Sequence, residues 1–128
     1  DSEFITNLKL QKLLYYAQGC YLAKTGNSLI KEDFLAWEHG PVIRTIYDKF
    51  KKFGANGIEY DDDYNDNIDN DTKTFLQKIY NSFGQYTAWK LRDMTHQETP
   101  WLETERNSVI NRKSMENYFR EHYNSIYA

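Results

Sequence analysis

Apolar residues in the first segment of the chain recur at helical spacing and cover nearly all sides of the predicted helix. Thr6 can cap a helix that runs to about Thr25, and Gly26 can end it. The apolar positions of this segment are Leu8, Leu10, Leu13, Leu14, Ala17, Cys20, Tyr21 and Leu22. A helix that is apolar on most sides belongs at the centre of a domain. The pattern therefore predicts a core helix over residues 7–25.

Residues 29–39 do not follow a helical period. Their side chains alternate instead, with Phe34, Ala36 and Glu38 on one side and Leu35, Trp37 and His39 on the other. Alternation over so few residues is typical of a strand. We therefore predict a short extended segment or small hairpin near residues 29–39.

Gly40 and Pro41 predict the start of a second helix, because proline suits the first helical position and glycine tolerates the restricted backbone before it. The apolar stripe that follows consists of Ile43, Ile46, Tyr47, Phe50 and Phe53. The cations Lys51 and Lys52 and then Gly54 are typical of a helix end.

The second half of the chain predicts further helices. One starts at Asp71 or Thr72 and ends at Gly84, and Thr87 can cap a short helix over residues 88–95. Thr99-Pro100 has the order of a cap followed by a proline, and Ser114 opens a last helix. The stripe of that last helix is Met115, Tyr118, Phe119, His122 and Ile126, which places His122 in a partly buried position. The sum is a mainly α, compact single domain over residues 1–128 with five to six helices.

Composition narrows the class of protein. The chain has 128 residues, which fits one domain, and its aromatic content is 16%. It contains no run of 18 apolar residues and no signal peptide at its start, so we expect a cytoplasmic protein without a membrane partner. Cys20 is the single cysteine, which fits a reducing compartment and argues against a structural zinc site.

Acidic residues are concentrated in one segment. Glu59–Asp71 holds seven acids and no Lys or Arg, which leaves 12 acids against 16 bases elsewhere. That balance is weaker than a dedicated nucleic-acid binder shows. The segment does not match a calcium-binding loop, because positions six and twelve counted from Asp61 are Asp66 and Thr72. We therefore expect a mobile, solvated acidic loop or ragged hairpin at residues 57–70.

Catalytic signatures are missing from the chain. No G-x-S-x-G, P-loop or G-x-G-x-x-G sequence occurs, and Cys20 lies in the most apolar predicted helix. The histidines lack the spacing of a metal site, although His39 and His96 with Asp93 or Glu98 stay open as ligands. An enzyme would need a pocket that joins His96, Asp93 and His39. We expect no enzymatic activity and no cofactor.

A helix–turn–helix is the alternative pattern. Residues 75–83, a turn at 84–87 and a capped helix at 88–95 have the order of that motif. The second helix offers only Lys90 and Arg92 outward, with Asp93 beside them. DNA recognition by a regulator of its own operon therefore stays as the second hypothesis.

Two segments are specific enough to indicate a family. The first is TNLKLQKLLYYAQG at residues 6–19, followed by AWEHGPV at 36–42 and by Tyr47. The second is LRDMTHQETPW at residues 91–101. Together they resemble the Panacea domain, the SocA-like antitoxin family that is also described as GepA-type phage-associated proteins. The resemblance spans about Thr6 to Phe119. Family members usually carry a further helix before the first motif, and we expect this helix to be absent or cut away here.

The resemblance implies a helical neutralisation domain of toxin–antitoxin systems that binds a cognate protein toxin directly. One branch of the family resembles a proteolytic adaptor that delivers its toxin to a protease. Such a domain needs no chemistry of its own, and the acidic loop could meet a basic face of the toxin. The partners expected are therefore the toxin and, as further possibilities, a protease or a DNA operator.

Aromatic side chains are the natural candidates for contacts with a partner, because they offer large, stiff surfaces with a polar end. With neighbouring motif residues, the predicted partner-binding set is Tyr15, Tyr16, Trp37, Glu38, His39, Tyr47, Trp89, His96 and Trp101. The predicted structural residues are Gly40, Pro41, Thr95 and Pro100. Two alternatives stay open: Trp37 and Trp101 could pack over the core helix, and His96 could brace the Pro100–Trp101 loop.

Overall fold

Helix α1 (Asn7–Thr25) is the centre of the molecule. The computed structural model describes residues 5–58 and 68–128. The other elements, in chain order, are β1 (Leu35–Trp37), β2 (Gly40–Val42), α2 (Arg44–Phe50), a 3-10 turn (Lys51–Phe53), α3 (Asn70–Phe83), α4 (Ala88–Thr95), α5 (Thr99–Leu102), α6 (Arg112–His122) and α7 (Asn124–Tyr127). Helix α1 packs against α2, α3, α4, α6, α7 and β2. The predicted core helix is therefore confirmed.

The ends of α1 also follow the prediction. The Thr6 side chain accepts a hydrogen bond from the Lys9 backbone N–H, and Gly26 ends the helix with φ of +78°. The sides of α1 are less apolar than expected, because five of its buried residues are polar: Asn7, Lys9, Gln11, Lys12 and Gln18. A polar group in a core needs a hydrogen-bond partner. These partners attach the rest of the fold to α1.

The hairpin lies slightly later in the chain than the alternation suggested. Strands β1 and β2 are antiparallel, with Ala36 opposite Pro41. The segment 107–110 runs along the other side of β1, where the Ala36 N–H donates to Ser108 and the Ile110 N–H donates to Phe34. Phe34 and Ala36 are buried and Glu38 is exposed. The hairpin is therefore held between this segment and α1.

Pro41 does not start a helix. It lies in β2, and α2 begins three residues later at Arg44. The prediction was wrong because pairing with β1 extends the backbone through Val42. Ile43 is 1% exposed, but it precedes the helix, and neither α2 nor the 3-10 turn contains a buried residue. The rest of the predicted stripe lies half-buried at the surface.

The later helices agree with the sequence pattern in order but differ at several ends. Asp69 caps α3, and Thr87 caps α4 as predicted. Helix α5 starts at Thr99 itself, and α6 is capped by Asn111 instead of opening at Ser114. The last helix is split at Tyr123, which gives seven α-helices in the described residues instead of five to six. His122 is exposed, not partly buried as predicted.

The predicted acidic loop falls largely on residues 59–67, which lie outside the described residues. In the described part of the chain, the helices are all too short or too polar to cross a membrane.

Aromatic rings fill the contact between α1 and the C-terminal helices. Phe119 of α6 is 0% exposed and lies edge-on to Tyr15, with ring centroids 5.4 Å apart. Tyr16 stacks on Phe83 of α3 at 4.3 Å and meets Tyr123 edge-on at 5.7 Å. Edge-on and stacked pairs of this kind stabilise a core beyond the area they bury. Much of the aromatic content of the sequence is therefore structural.

Candidate partner-binding groove

Four of the predicted partner-binding residues line one groove. Trp37, Glu38, His39 and Tyr47 come from the hairpin and α2, and the opposite side is formed by the N-terminal part of α1. The groove has a volume of about 610 Å³, and Lys51 and Arg106 also line it. We call this feature the hairpin groove. A concave surface with both aromatic and charged side chains is suited to binding a partner.

The aromatic wall of the hairpin groove is held in place by ring contacts. The Trp37 and Tyr47 rings meet edge-on, with centroids 5.0 Å apart and planes at 71°. The Arg44 guanidinium lies 5.7 Å from the Trp37 ring centroid. The wall is therefore ordered before any partner arrives, which lowers the entropy cost of binding.

Trp89 on α4 extends this surface beyond the hairpin groove. Its side chain is 57% exposed, and its ring is perpendicular to that of His39 at a centroid distance of 5.9 Å. Arg92 contacts both, with its guanidinium 5.7 Å from the Trp89 ring centroid and its Nε donating to His39 Nδ1 at 3.4 Å. An exposed tryptophan beside an aromatic-lined groove is a strong candidate for a contact residue.

Trp101 ties α5 to the hairpin instead of facing outward. Its Nε1 donates to the Trp37 carbonyl at 2.8 Å. The His96 ring stacks on Trp101 at 4.0 Å, and the Arg106 guanidinium lies 3.6 Å from the Trp101 centroid. Both groups fit at such distances only on opposite faces of the indole. His96 and Trp101 therefore support the wall of the hairpin groove from behind.

The side chain of His96 is partly buried. Burial, followed by the nearby charge of Arg92, lowers the pKa of its imidazole. Its Nε2 atom is buried and has no hydrogen-bond partner among the described residues. A neutral imidazole suits a ring that lies flat against Trp101.

Tyr15 and Tyr16 lie in the core, away from the hairpin groove. Both are 0% exposed, so neither is available to a partner in this structure. Their hydroxyls donate to the two oxygens of Glu98, at 3.1 Å from Tyr15 and 2.9 Å from Tyr16, and the Tyr123 hydroxyl donates to Glu98 as well. Their place in the predicted set was therefore wrong.

Glu98 is a carboxyl group inside the core. It is 3% exposed, and burial raises its pKa to about 7 against the opposing effect of the three tyrosine hydroxyls. Removal from water disfavours the charged form of a carboxyl group, whereas hydrogen bonds to its oxygens favour it. The sequence leaves Glu98 open as a metal ligand. Nothing in the sequence indicates that its carboxylate accepts hydrogen bonds from three tyrosine hydroxyls.

Lys12 is the buried cation below the hairpin. It is 0% exposed, and its Nζ donates to the Pro41 carbonyl at 3.2 Å. Burial, followed by the charge of Arg92, lowers the pKa of its amino group to about 7. Thr95 is also 0% exposed, and its hydroxyl donates to the Arg92 carbonyl at 2.8 Å. Gly40 lies directly against Lys12 and Thr95.

Gln11 connects α1 to the hairpin groove. Its Oε1 accepts from the Ile43 backbone N–H at 2.8 Å, and its Nε2 donates to Asn7 Oδ1 at 3.0 Å. Asn7 in turn donates to the Tyr47 carbonyl at 3.1 Å. These two polar side chains fix the start of α2 and the position of Tyr47. Neither role was predicted, because the apolar positions indicate that α1 is apolar on most sides.

We expect Gln11→Leu to weaken partner binding by more than its loss of stability explains, because Gln11 positions the wall of the hairpin groove. The change leaves the Ile43 N–H and the Asn7 oxygen unpaired and should cost about 1–3 kcal/mol of unfolding free energy. Gln18→Leu is the matched control, because Gln18 is also 0% exposed and accepts from the Leu29 and Ile30 N–H groups on another part of α1. Urea unfolding should show similar losses for both, but only Gln11→Leu should weaken binding of a partner.

The residues of the alternative enzyme site each make a contact of their own. Asp93 and His39 each contact Arg92, whereas His96 stacks on Trp101. Burial raises the pKa of the Cys20 thiol to about 12, so it is an inert core residue. Within residues 5–58 and 68–128, no group of three His, Cys, Asp or Glu side chains could hold a metal ion.

Comparison with known protein families identifies the family to which the chain belongs. The family model described as "Antitoxin SocA-like, Panacea domain" matches residues 10–102, which include the hairpin, α4 and the Pro100–Trp101 motif. The chain belongs to the SocA-like antitoxin family.

A curated relative within the SocA-like family is the antitoxin SocA of Caulobacter vibrioides (strain NA1000 / CB15N). It is 46% identical over 56 residues, which cover 44% of this chain and 28% of that protein. The matched region thus spans just over a quarter of the length of the relative. No solved structure matches the chain.

Proposed function

We propose that this domain neutralises a cognate protein toxin by binding it directly through the hairpin groove and Trp89. The observation that carries the proposal is the meeting of Trp37, His39 and Tyr47 in one groove beside the exposed Trp89. Trp37, His39 and Tyr47 belong to the first of the two segments that resemble the antitoxin family. Neutralisation then consists of covering the working surface of the toxin and needs no catalytic step by this chain.

Direct binding is testable by coexpression with the product of the neighbouring gene. We expect a stable complex after size-exclusion chromatography and restored growth of cells that express the toxin. The neighbouring protein expressed alone is the control for toxicity. A toxic neighbour that neither co-elutes with this domain nor is neutralised by it would contradict the proposal.

Trp89→Ala should weaken toxin binding at least 10-fold while leaving the fold intact, because removing an aromatic hot-spot contact costs about 2 kcal/mol or more of binding free energy. The exposed ring is engaged mainly with His39 and Arg92, so the melting temperature should change little. Leu102→Ala is the control, since Leu102 is 53% exposed and does not line the hairpin groove. Equal affinities of the two variants in calorimetry would remove Trp89 from the binding surface.

Delivery of the toxin to a protease is a further step of the proposal, based on the resemblance to the adaptor branch of the family. A pulse-chase measurement of toxin half-life in cells with and without this domain tests it. Faster loss of the toxin in the presence of the domain supports delivery, and an unchanged half-life leaves neutralisation by binding alone.

DNA binding is the second candidate, and the observation that favours it is the chain order of α3, a turn and the Thr87-capped α4. The two helices pack mainly on other elements, α3 on α1 and α7 and α4 on α1 and β2. Arg92 is engaged by Asp93 at 3.1 Å, and Lys90 is the other cation of α4 and is exposed. A shift of promoter DNA that is lost in Lys90→Ala and Arg92→Ala would support this candidate.

A further inference from the structure

Helix α2 and the 3-10 turn form a basic edge along the hairpin groove. The cations of this edge are Arg44, Lys49, Lys51 and Lys52, and Asp48 is its only acid. None of its residues is buried, and its apolar side chains are half-covered: Ile46, Tyr47, Phe50 and Phe53. The edge therefore presents partly uncovered apolar surface together with positive charge.

The cations of the basic edge are positioned by aromatic rings. Lys49 lies 5.5 Å from the centroid of Phe50, and Lys52 lies 5.3 Å from that of Phe53. Arg44 and Arg106 lie over the two tryptophans, Trp37 and Trp101. Nη2 of Arg106 donates to the Trp101 and Thr104 carbonyls at 2.8 and 2.6 Å, and its other N–H groups can pair with a carboxylate. These side chains lose little freedom when such a carboxylate binds.

Local carboxylates only partly balance this charge. Asp48 lies 3.4 Å from Arg44 and 3.6 Å from Lys51, and Glu38 lines the hairpin groove. Within residues 5–58 and 68–128, the cations of the basic edge and Arg106 make five positive charges beside the two acids Asp48 and Glu38, although the whole chain has a net charge of −3. The surface is opposite in sign to the protein that carries it, which favours an acidic partner segment.

We propose that the basic edge and the hairpin groove bind an acidic peptide segment, with its carboxylates on Arg44, Lys51 and Arg106 and an apolar side chain in the groove. The inference rests on the proposed function in that the toxin supplies this segment.

A nucleic acid fits the same surface less well. Binding of single strands relies on free aromatic faces on which bases stack. Both faces of Trp101 are covered, by His96 and by Arg106, and Arg44 lies over Trp37. The tryptophan rings beside the cations are therefore covered and cannot stack on bases. RNA is included in the test as the alternative ligand.

The test uses a fluorescein-labelled peptide of about 12 residues with alternating Glu and Leu, a matched peptide with Gln for Glu, and an oligouridine RNA of equal length. We expect the Glu peptide to bind, with affinity falling at least 10-fold between low salt and physiological salt. The variant Arg44→Gln/Lys51→Gln/Arg106→Gln should lower that affinity at least 10-fold. The charge-matched control is Lys31→Gln/Lys78→Gln/Lys113→Gln, which should bind like the parent. Melting temperatures of both variants verify folding.

Equal binding of the Glu and Gln peptides, no binding of the Glu peptide, or preferential binding of the RNA would overturn the inference. The coexpressed neighbouring protein separates it from the proposed function. If that toxin binds the parent and the Arg44→Gln/Lys51→Gln/Arg106→Gln variant equally, toxin binding is supported and the proposed acidic segment is contradicted. If the Glu peptide binds but the toxin does not, the surface chemistry stands and the proposed function fails.

Discussion

Replacing Gly40 with alanine is expected to destabilise the protein by about 3 kcal/mol and to abolish partner binding. Gly40 has φ of +112°, a conformation that residues with a side chain rarely adopt. An added Cβ would lie 2.6 Å from Cε of Lys12 and 2.9 Å from Oγ1 of Thr95. Both neighbours are 0% exposed and hydrogen-bonded, so they have no room to move. The hairpin would be pushed away from α1, and the hairpin groove would lose one wall.

Gly26→Ala is the control for Gly40→Ala, because it introduces the backbone strain of a positive φ without a steric overlap of the new Cβ. Gly26 has φ of +78°, and an added Cβ would meet nothing within 4 Å. We expect this change to cost about 1 kcal/mol and to leave partner binding unchanged. Chemical denaturation and calorimetry of both variants measure the two effects. A Gly40 variant as stable as the Gly26 variant would show that Lys12 and Thr95 do not fix the hairpin.

The free energy of unfolding is expected to pass through a minimum near pH 7, because two buried groups, Glu98 and Lys12, titrate with opposite effects. Glu98 has a folded-state pKa of about 7 against an ordinary 4.5, so the unfolded carboxyl loses its proton first. Its contribution is fully present below pH 4.5 and is lost by pH 7, a fall of about 3 kcal/mol. Lys12 has the opposite sign, because its pKa is lowered from 10.5 to about 7. Its contribution is lost as the pH falls toward 7 and grows by about 5 kcal/mol by pH 10.5.

Single variants assign each slope to its group. Glu98→Gln should flatten the fall in unfolding free energy between pH 5 and about 7, and Lys12→Met should flatten the rise between about 7 and 9. Glu105→Gln and Lys113→Met are exposed controls that should reproduce the parent profile. Urea titrations at each pH provide the free energies. A Glu98→Gln profile parallel to that of the parent would contradict the role of the buried carboxyl group.

Local signals in the sequence predicted much of the helical framework. Thr6, Gly26 and Thr87 act at the helix ends where they were expected, because a cap depends on residues within one turn. The prediction that Pro41 starts a helix was wrong, since its conformation depends on pairing with Ala36 in another strand. Trp37, Glu38 and His39 are neighbours in the chain, but nothing in the sequence pattern predicted that Tyr47 would line the same groove.

Buried polar residues were the main failure of sequence reasoning. Lys12 finds its acceptor 29 residues away at Pro41, and Tyr15 finds Glu98 83 residues away. Their burial becomes favourable only when such distant partners are supplied by the fold. Tyr15 and Tyr16 were assigned to the surface because their residue type suits interfaces, and the type alone does not tell which side of α1 is covered.

The three phenols around Glu98 also bear on how the protein is synthesised. Two of them belong to α1 and the third to Tyr123, so the ribosome delivers the acceptor well before its last donor. A nascent chain that terminates before Tyr123 leaves the carboxyl group short of one donor in a water-free interior. We expect such truncated products to be degraded as unfolded protein, so that only chains translated past this residue accumulate.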